Sequence, residues 1–335
     1  MKKNTLTRFV QDALGVASKM GVYLDDSGEA LKMDAGESLF FERELESVEQ
    51  RLYETKLREL KYRKLIPVSN RDGAGAETIT YYQWTRVGMA KIIANPSDDL
   101  PRVDLFAKRF TQNVYSIGTA FGFSTQELRA AAMAGRPLEM FKVDAARRAV
   151  HEKENDIAWN GETDYNLPGF LNNVNIPTVQ APLNGGASSR LWINKSPDEI
   201  LADVKTMVSG IHTSTNRIHS GNTLLLTSDN YDHIAMTPRS SLSDTTILEF
   251  ILQKSNTYGI DTIDWLKELE GAGTGASNMH ILYENTDEVL EQRIPLEMIN
   301  HPPQIVNLEF KVPVEARNGG VVVRYPLACR TMYDV

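Results

Sequence analysis

The sequence predicts an α+β fold that combines a long extended ribbon, a long helix and a separate module of alternating strands and helices. Residues 66–123 are rich in β-branched and aromatic residues and lack helical periodicity, whereas residues 138–161 keep a helical pattern for about six turns. Strand and helix patterns alternate over residues 196–290, which indicates a compact α/β module. The chain has 335 residues, a length that favours about two domains.

Composition excludes several classes of protein. Lys and Arg total 36 against 44 Asp and Glu, so the net charge is −8 and the surface as a whole should repel nucleic acid. Mean hydropathy is −0.32, and no apolar run is long enough to span a bilayer. The single cysteine, Cys329, excludes an internal disulfide and a thiolate metal cage and is typical of a chain folded in a reducing cytosol. Arg8, Gln11 and Asp12 interrupt the apolar core that a secretory signal peptide needs.

The N-terminal part of the chain contains one amphipathic pattern. Residues 37–62 place Phe41, Leu45, Val48 and Leu52 at helical spacing, with Glu and Arg on the other faces. The pattern predicts a charged helix that either packs on its own core or lies along a neighbouring subunit. An ordinary surface helix is the favoured interpretation.

The ribbon follows this helix. A turn-rich segment with Gly73 and Gly75 leads into a strand pattern over residues 77–88, and residues 106–124 resume in extended form after a turn rich in Pro and Asp. An isolated two-stranded ribbon is only marginally stable in water, so we expect it to rest on another surface.

A capping box marks the start of the helical region. Ser124 can cap the helix while Glu127 bonds back to it, and Gly161 ends the second and longer helix after about six turns. The apolar residues of this longer helix are predicted to form one stripe: Leu138, Phe141, Ala145, Ala149 and Ile157.

The α/β module and a closing strand pair complete the chain. Ser196 and Glu199 repeat the capping chemistry, and a buried strand is predicted over residues 224–226. Near the end, Asn318 and Gly319 separate two strand patterns. Because Asn-Gly suits the positive φ angles of a type I′ turn, the sequence predicts a β-hairpin there.

No motif supports catalysis or cofactor binding. The Gly-rich segment 271–278 lacks the lysine and the spacing of a phosphate loop, so we interpret it as a flexible loop. His151 and Glu152 begin like a zinc-protease helix, but Asn155 stands where the second histidine should be. No G-x-S-x-G nucleophile elbow is present. We therefore predict no catalytic residues, no metal site and no cofactor.

The order of these parts is more informative than any motif. An N-terminal helix, a ribbon, a long helix, an α/β module and closing strands follow one another as in tailed-phage major capsid proteins of the Hong Kong 97-type fold, which encapsulin shells share. The chain resembles the encapsulin-like branch of that family, in a resemblance that extends from about residue 37 nearly to the end. It rests on the stretches GMAKIIANPSDDLPRVD, STQELRAAAMAGRPLEMFKVDAARRAVHEKENDIAWNG, YNLPGFLNN and VPVEARNGGVVVRYPLA.

The resemblance implies a division of the chain into named parts. Residues 1–63 would be the N-arm and its helix, 64–123 the E-loop region, 124–195 the peripheral domain with the spine helix, 196–295 the axial domain, and 296–335 the closing β-hairpin of the peripheral domain.

The E-loop would lie over an adjacent subunit, because its exposed apolar residues would otherwise promote aggregation. The residues expected in this contact are Tyr81, Tyr82, Trp84, Val87, Lys91, Ile92 and Ile93. Some relatives cross-link their shells through an E-loop lysine and an asparagine of a neighbour. Lys91 would be the donor here, with Asn300, Asn307 or Asn318 as acceptors, but no motif specifies them and the cross-link is disfavoured.

The implied function is a non-enzymatic major capsid protein that self-assembles into an icosahedral shell of hexamers and pentamers around a double-stranded DNA phage genome. The expected partners are other copies of the chain, portal, scaffold or decoration proteins, and DNA held weakly on the inner face, with no membrane. The protein would be assembled in the host bacterial cytoplasm and reside in the virion. An encapsulin-type compartment is the alternative, and a soluble α/β enzyme with an unrecognised site is a distant one.

Overall fold

A computed structural model describes residues 56–91, 102–134, 138–186, 188–240, 244–253 and 258–335. Its helices are α1 (Tyr62–Leu65), α2 (Thr125–Ala134), α3 (Leu138–Trp159), α4 (Pro197–Ser214), α5 (Ser228–Met236) and α6 (Ile247–Gln253). Its strands are β1 (Val68–Ser69), β2 (Thr78–Val87), β3 (Asp104–Asn113), β4 (Tyr115–Ser124), β5 (Thr178–Gln180), β6 (Thr223–Leu226), β7 (Thr262–Trp265), β8 (Met279–Tyr283), β9 (Leu290–Arg293), β10 (Leu296–Asn300), β11 (Gln304–Val306), β12 (Glu309–Asn318), β13 (Val321–Val323) and β14 (Cys329–Tyr333).

These strands form four separate groups. β2 and β3 pair only with each other and form the ribbon, whereas β1, β9 and β13 form a three-stranded sheet. In the four-stranded sheet, the long strand β12 pairs with β4 on one side and with β10 and β11 on the other. The five-stranded sheet has the order β5-β14-β8-β6-β7.

The five-stranded sheet lies at the centre of the buried core. Alternate residues of β6 point to opposite faces: Leu224 and Leu226 pack with α4, α5 and α6, while Leu225 packs against a second cluster that contains Trp159 and Tyr62. The predicted buried strand over residues 224–226 and the predicted capping box at Ser196 are confirmed. β14 at the C-terminus also belongs to this sheet, so sheet pairing crosses the predicted boundary at residue 295.

The long helix α3 packs on the four-stranded sheet. The predicted capping box forms at the start of α2, the helix before α3: the Ser124 amide donates to Glu127 Oε2 at 3.0 Å, and the Glu127 amide donates to Ser124 Oγ at 3.0 Å. Gly161 follows the end of α3 with φ of +70° and stops this helix, as predicted.

The predicted apolar stripe lies on the wrong face of α3. Ile157 is buried, but Ala145 and Ala149 are exposed, and the residues that contact the sheet are Ala146 and Val150. A step of four residues advances about 40° beyond a full turn, so a row built on such steps drifts away from the face that meets the sheet.

The helix predicted over residues 37–62 lies largely outside the described residues. Its last part, which the structure does describe, is not helical as predicted. Residues 56–61 are irregular, and α1 begins at Tyr62. Ion pairs fix this short helix to the body: Lys61 Nζ lies 2.6 Å from Asp264 Oδ1, and Arg63 lies 3.3 Å from Glu154 of α3. The Tyr62 hydroxyl donates to Glu154 at 2.5 Å.

The predicted closing hairpin is wrong. β12 ends at Asn318, but β13 pairs with β9 in the three-stranded sheet and not with β12. Residues 318–320 therefore carry the chain from one sheet to another. The positive φ, +75°, belongs to Gly320 and not to Asn318 or Gly319. Asn318 is fully buried, and its Oδ1 accepts a hydrogen bond from the Gly320 amide at 2.7 Å.

In the described part of the chain, no helix has the length and apolar character needed to cross a bilayer.

Candidate assembly surfaces

The ribbon presents an Arg-aromatic face to solvent. β2 and β3 pair without interruption from Thr78 opposite Asn113 to Val87 opposite Asp104. Successive side chains of a strand point to opposite faces, so alternate residues of β2 and the residues opposite them on β3 share one face of the ribbon. Trp84 lies on this face and is 62% exposed. The face is defined by Tyr82, Trp84, Arg86, Leu105 and Arg109.

The opposite face of the ribbon is also apolar. Near its base Tyr81 and Phe110 stack with ring centroids 5.1 Å apart and are half-buried against the body. Farther out, Val87 and Phe106 are exposed, Phe106 by 60%. A pair of strands with apolar residues exposed on both faces lacks a core of its own in the single subunit.

The predicted contact residues therefore differ in position. Tyr82, Trp84 and Val87 are exposed, whereas Tyr81 lies at the base of the ribbon. Lys91 is exposed just beyond β2. Ile92 and Ile93 lie outside the described residues.

An ion pair and a hydrogen bond fix the base of the ribbon to the three-stranded and four-stranded sheets. Arg293 Nη1 lies 3.1 Å from Asp72 Oδ2 in the segment that leads into β2, and Arg317 donates to the Ala74 carbonyl at 2.5 Å. Arg293 in turn pairs with the buried Glu291 at 2.5 Å. The base of the ribbon is therefore bound to the body, whereas the residues of its outer half, such as Trp84 and Phe106, are exposed.

The sequence reading missed a second apolar surface, at the end of the four-stranded sheet. Ile305 and Leu308 are 72% and 71% exposed, and Val306, between them in the sequence, is 50% exposed. A cavity of about 320 Å³ opens nearby, lined by Phe121, Phe123, Leu128, Val143, Pro303, Phe310 and Val312. The sequence does contain apolar residues around Pro302 and Pro303. The periodicity of a short segment does not show whether such residues are exposed or buried, so this surface was not predicted.

The candidate acceptors of a cross-link are not equivalent. Asn300 and Asn307 are exposed, the latter with φ of +55°, whereas Asn318 is fully buried. Burial leaves Asn318 inaccessible to a lysine of another subunit.

Buried polar groups in the α/β module are structural. Lys195 Nζ lies 2.5 Å from Asp203 Oδ2, which also accepts a hydrogen bond from Trp192 Nε1 at 2.9 Å. Burial raises the pKa of the Asp203 carboxyl, although Lys195 opposes this shift. The ring of His280 lies 4.3 Å from that of Trp192, and burial together with the charge of Lys195 lowers the pKa of His280 to about 3. Because Lys195 and Asp203 are buried and pair with each other, the cluster belongs to the core of the module and is not an open site.

Comparison with known proteins identifies the chain. A family model described as major capsid protein matches residues 88–333, which is well over half of the sequence. The chain belongs to the major capsid protein family. It is therefore a capsid subunit that associates with further copies of itself into a shell.

Solved structures support the Hong Kong 97-type α+β fold that the sequence predicted. The capsid of Myoviridae phage XM1 is 16% identical and has a TM-score of 0.75, with 89% of this chain and 99% of that chain covered. Mycobacterium phage Bobi is 11% identical with a TM-score of 0.58, covering 86% and 94%. A virus-like particle from Pyrococcus furiosus is 15% identical with a TM-score of 0.50, covering 81% and 91%. No curated protein matches the chain.

Proposed function

We propose that this subunit builds a closed icosahedral shell of hexamers and pentamers around a double-stranded DNA phage genome, and that the ribbon is its main arm toward a neighbour. The observation that carries the proposal is the outer half of the ribbon, where Trp84 and Phe106 are exposed on opposite faces. Burying one such side chain contributes about 1.5–3 kcal/mol, so a neighbour that covers several of them gains enough to drive assembly.

The remaining elements suit the parts of a capsid subunit. The ribbon, residues 78–113, is the E-loop in this proposal, α3 is the spine helix, and the four-stranded sheet beneath α3 is the core of the peripheral domain. The five-stranded sheet with α4, α5 and α6 is the axial domain, completed by β14 from the C-terminus. Residues 1–63 form the N-arm.

The partners follow from the same proposal. Copies of the chain meet through the ribbon and through the exposed residues Ile305 and Leu308 at the end of the four-stranded sheet. Portal, scaffold or decoration proteins complete the particle in the host bacterial cytoplasm. With a net charge of −8, the shell wall holds packaged DNA weakly, which lets the genome move during packaging and release.

Negative-stain microscopy of the purified protein tests the proposal. We expect closed shells, or rings and sheets of capsomers. A uniform small monomer or dimer under every tested condition would contradict it and would favour the soluble enzyme. The contents separate the two kinds of shell: packaged DNA with a portal vertex supports the phage capsid, whereas a shell filled with one enzyme supports the encapsulin-type compartment.

DNA binding by the wall is a separate measurement. We expect empty shells to bind duplex DNA weakly at physiological salt. Tight binding there would contradict the proposed role of the negative charge while leaving the shell itself intact.

A further inference from the structure

The four-stranded sheet packs on α3 through a small core. Four buried residues form this core: Ala146 and Val150 of α3, and Val314 and Ala316 of β12. The end of α3 belongs instead to the large core beneath the five-stranded sheet, where Trp159 is fully buried. Because the burial of a few small side chains contributes little free energy, polar contacts have a larger share in fixing how the two sheets are oriented.

The short helix α1 is fixed to the side of the five-stranded sheet. Tyr62 and Leu65 are buried in the large core. Lys61, just before the helix, places its Nζ atom 2.6 Å from Asp264 Oδ1 of β7, and both side chains are largely buried. A group carried by α1 therefore keeps a defined position relative to that sheet.

Arg63 reaches from α1 to the four-stranded sheet. Its Nη1 atom lies 3.1 Å from Oε1 of Glu297 on β10, and its Nη2 atom lies 2.7 Å from Oε2, so the two groups pair fork to fork. Nη2 also lies 3.3 Å from the buried Glu154 Oε2, and Nε donates to the Tyr62 hydroxyl at 2.8 Å. All three nitrogens of the guanidinium group are held. Within the described residues, no other ion pair joins the four-stranded sheet to an element outside it.

Glu297 lies in an irregular stretch of its strand. Between Leu296 and Ile299, β10 has one residue more than the facing stretch of β12, which is a β-bulge. Bulges change the direction of side chains and are features of a fold rather than defects. Met298, the next residue, packs against the small core, while Glu297 receives the guanidinium group of Arg63. The irregularity of β10 thus coincides with the contact to α1.

We infer that Arg63 is a positioning residue that fixes the orientation of the four-stranded sheet relative to the five-stranded sheet, and with it the curvature of the shell. The side chains of Arg63 and Glu297 are 38% and 47% exposed, and an ion pair this exposed adds little to stability. Its effect is therefore on orientation rather than on folding. The consequence for curvature rests on the proposed function, since neighbouring subunits meet at fixed angles only in a closed shell.

A distance measured within one chain tests the orientation. Lys205→Cys on α4 and Lys311→Cys on β12 provide exposed sites for nitroxide labels, whereas Cys329 is fully buried and stays unlabelled. Double electron–electron resonance on full-length labelled chains, diluted with unlabelled chains, gives the distribution of the distance between the labels. We expect Glu297→Gln to widen this distribution about twofold, because its amide sets a donor against one arm of the guanidinium group. A distribution with the width and mean of the wild type would overturn the inference.

A second carboxylate of the same sheet provides the matched control. Glu315 of β12 lies 3.1 Å from His301 Nε2 and accepts a hydrogen bond from Ser116 at 3.0 Å, and both partners belong to this sheet or its loops. Glu315→Gln should leave the distribution as in the wild type. Equal widening for Glu297→Gln and Glu315→Gln would mean that any lost carboxylate loosens the sheet, and would overturn the inference.

The stability of the variants separates orientation from folding. The denaturant midpoint of Glu297→Gln should match that of the wild type, and a large loss would show that the pair serves folding instead. Arg63→Lys is the second variant, because it keeps the positive charge and loses the fork that reaches two carboxylates. We expect an intermediate width for Arg63→Lys, and a width equal to that of the wild type would also count against the inference.

Microscopy of assembled particles tests the consequence for the shell. Glu297→Gln should give shells with a broader range of diameters than the wild type or Glu315→Gln. Uniform diameters despite a widened distance distribution would overturn the link to curvature. Should the wild-type protein form no shells, the proposed function fails, while the distance measurement still decides whether Arg63 fixes the sheet.

Discussion

The ribbon and the five-stranded sheet use similar residues in opposite environments. Both contain aromatic and aliphatic residues in extended strands, yet Trp84 of the ribbon is 62% exposed, whereas β6 and β8 are buried at every position. The sheet is covered on both faces by groups from its own chain, such as Met207 on α4 and Trp159 on α3. In the part of the chain that the structure describes, the outer half of the ribbon is exposed instead.

This difference indicates where the stabilisation of each region originates. A buried strand contributes to the stability of the subunit, while an exposed apolar strand contributes only when a second molecule covers it. Mutations in the two regions should therefore change different measurable quantities, and two tryptophans permit a matched test.

The largest effect is expected from the tryptophan beside the five-stranded sheet. Trp192 is fully buried against His280 and donates a hydrogen bond to Asp203. Trp192→Ala should lower the free energy of unfolding of the unassembled subunit by about 3–5 kcal/mol, because it leaves a cavity and removes one of the two hydrogen bonds that the buried Asp203 Oδ2 accepts. Denaturant titration followed by circular dichroism measures this. A change below about 1 kcal/mol would mean that this core is not what stabilises the subunit.

A smaller effect on folding is expected at Gly320, in the segment that connects β12 of the four-stranded sheet to β13 of the three-stranded sheet. Gly320 has φ of +75°, and a Cβ atom there would lie 2.7 Å from the Pro168 carbonyl oxygen. Gly320→Ala should destabilise the subunit by about 1–3 kcal/mol, measured in the same titration. Gly75→Ala is the control, since nothing lies within 4 Å of the added methyl group. Equal free energies of unfolding for the two variants would contradict the requirement for glycine at position 320.

The tryptophan of the ribbon should act on assembly and leave folding unchanged. Trp84→Ala is expected to weaken subunit association by about 2 kcal/mol, seen as a higher protein concentration at the onset of light scattering. The free energy of unfolding of the unassembled subunit should change by about 0.5 kcal/mol or less. If Trp84→Ala destabilises the subunit as much as Trp192→Ala does, the ribbon belongs to the core of its own chain.

Acid should weaken the α/β module through His280. Its pKa of about 3 lies below the usual value of 6.5, so the unfolded chain binds the proton more readily than the folded one. This contribution to stability is full above pH 6.5 and declines as the pH falls from there toward 3. His280→Asn should reduce the slope of unfolding free energy against pH by about one proton between pH 6 and 4. An unchanged slope would mean that His280 does not titrate in this way.

Much of the local structure was predictable because its causes are local. The capping boxes at Ser124 and Ser196, the end of α3 at Gly161 and the strands of the ribbon all follow from neighbouring residues. The exposed candidates Tyr82 and Trp84 were also predictable, since a two-stranded excursion cannot bury both of its faces.

Errors arose where distant parts of the chain decide the outcome. Asn318 and Gly319 have the composition of a hairpin turn, but β12 and β13 find other partners, so the segment connects two sheets. On α3, Ala145 and Ala146 are chemically identical, and only the position of the four-stranded sheet determines that Ala146 is the buried one.

The sequence alone determined the types of element, their order and the resemblance to a capsid subunit, because helix caps and the periodicity of apolar residues depend on neighbours along the chain. The tertiary structure decided which strands pair, which face of α3 is covered and how the arginines of the ribbon are arranged around Trp84. Those features depend on contacts between residues as distant as Asp72 and Arg293, and no local pattern encodes such contacts.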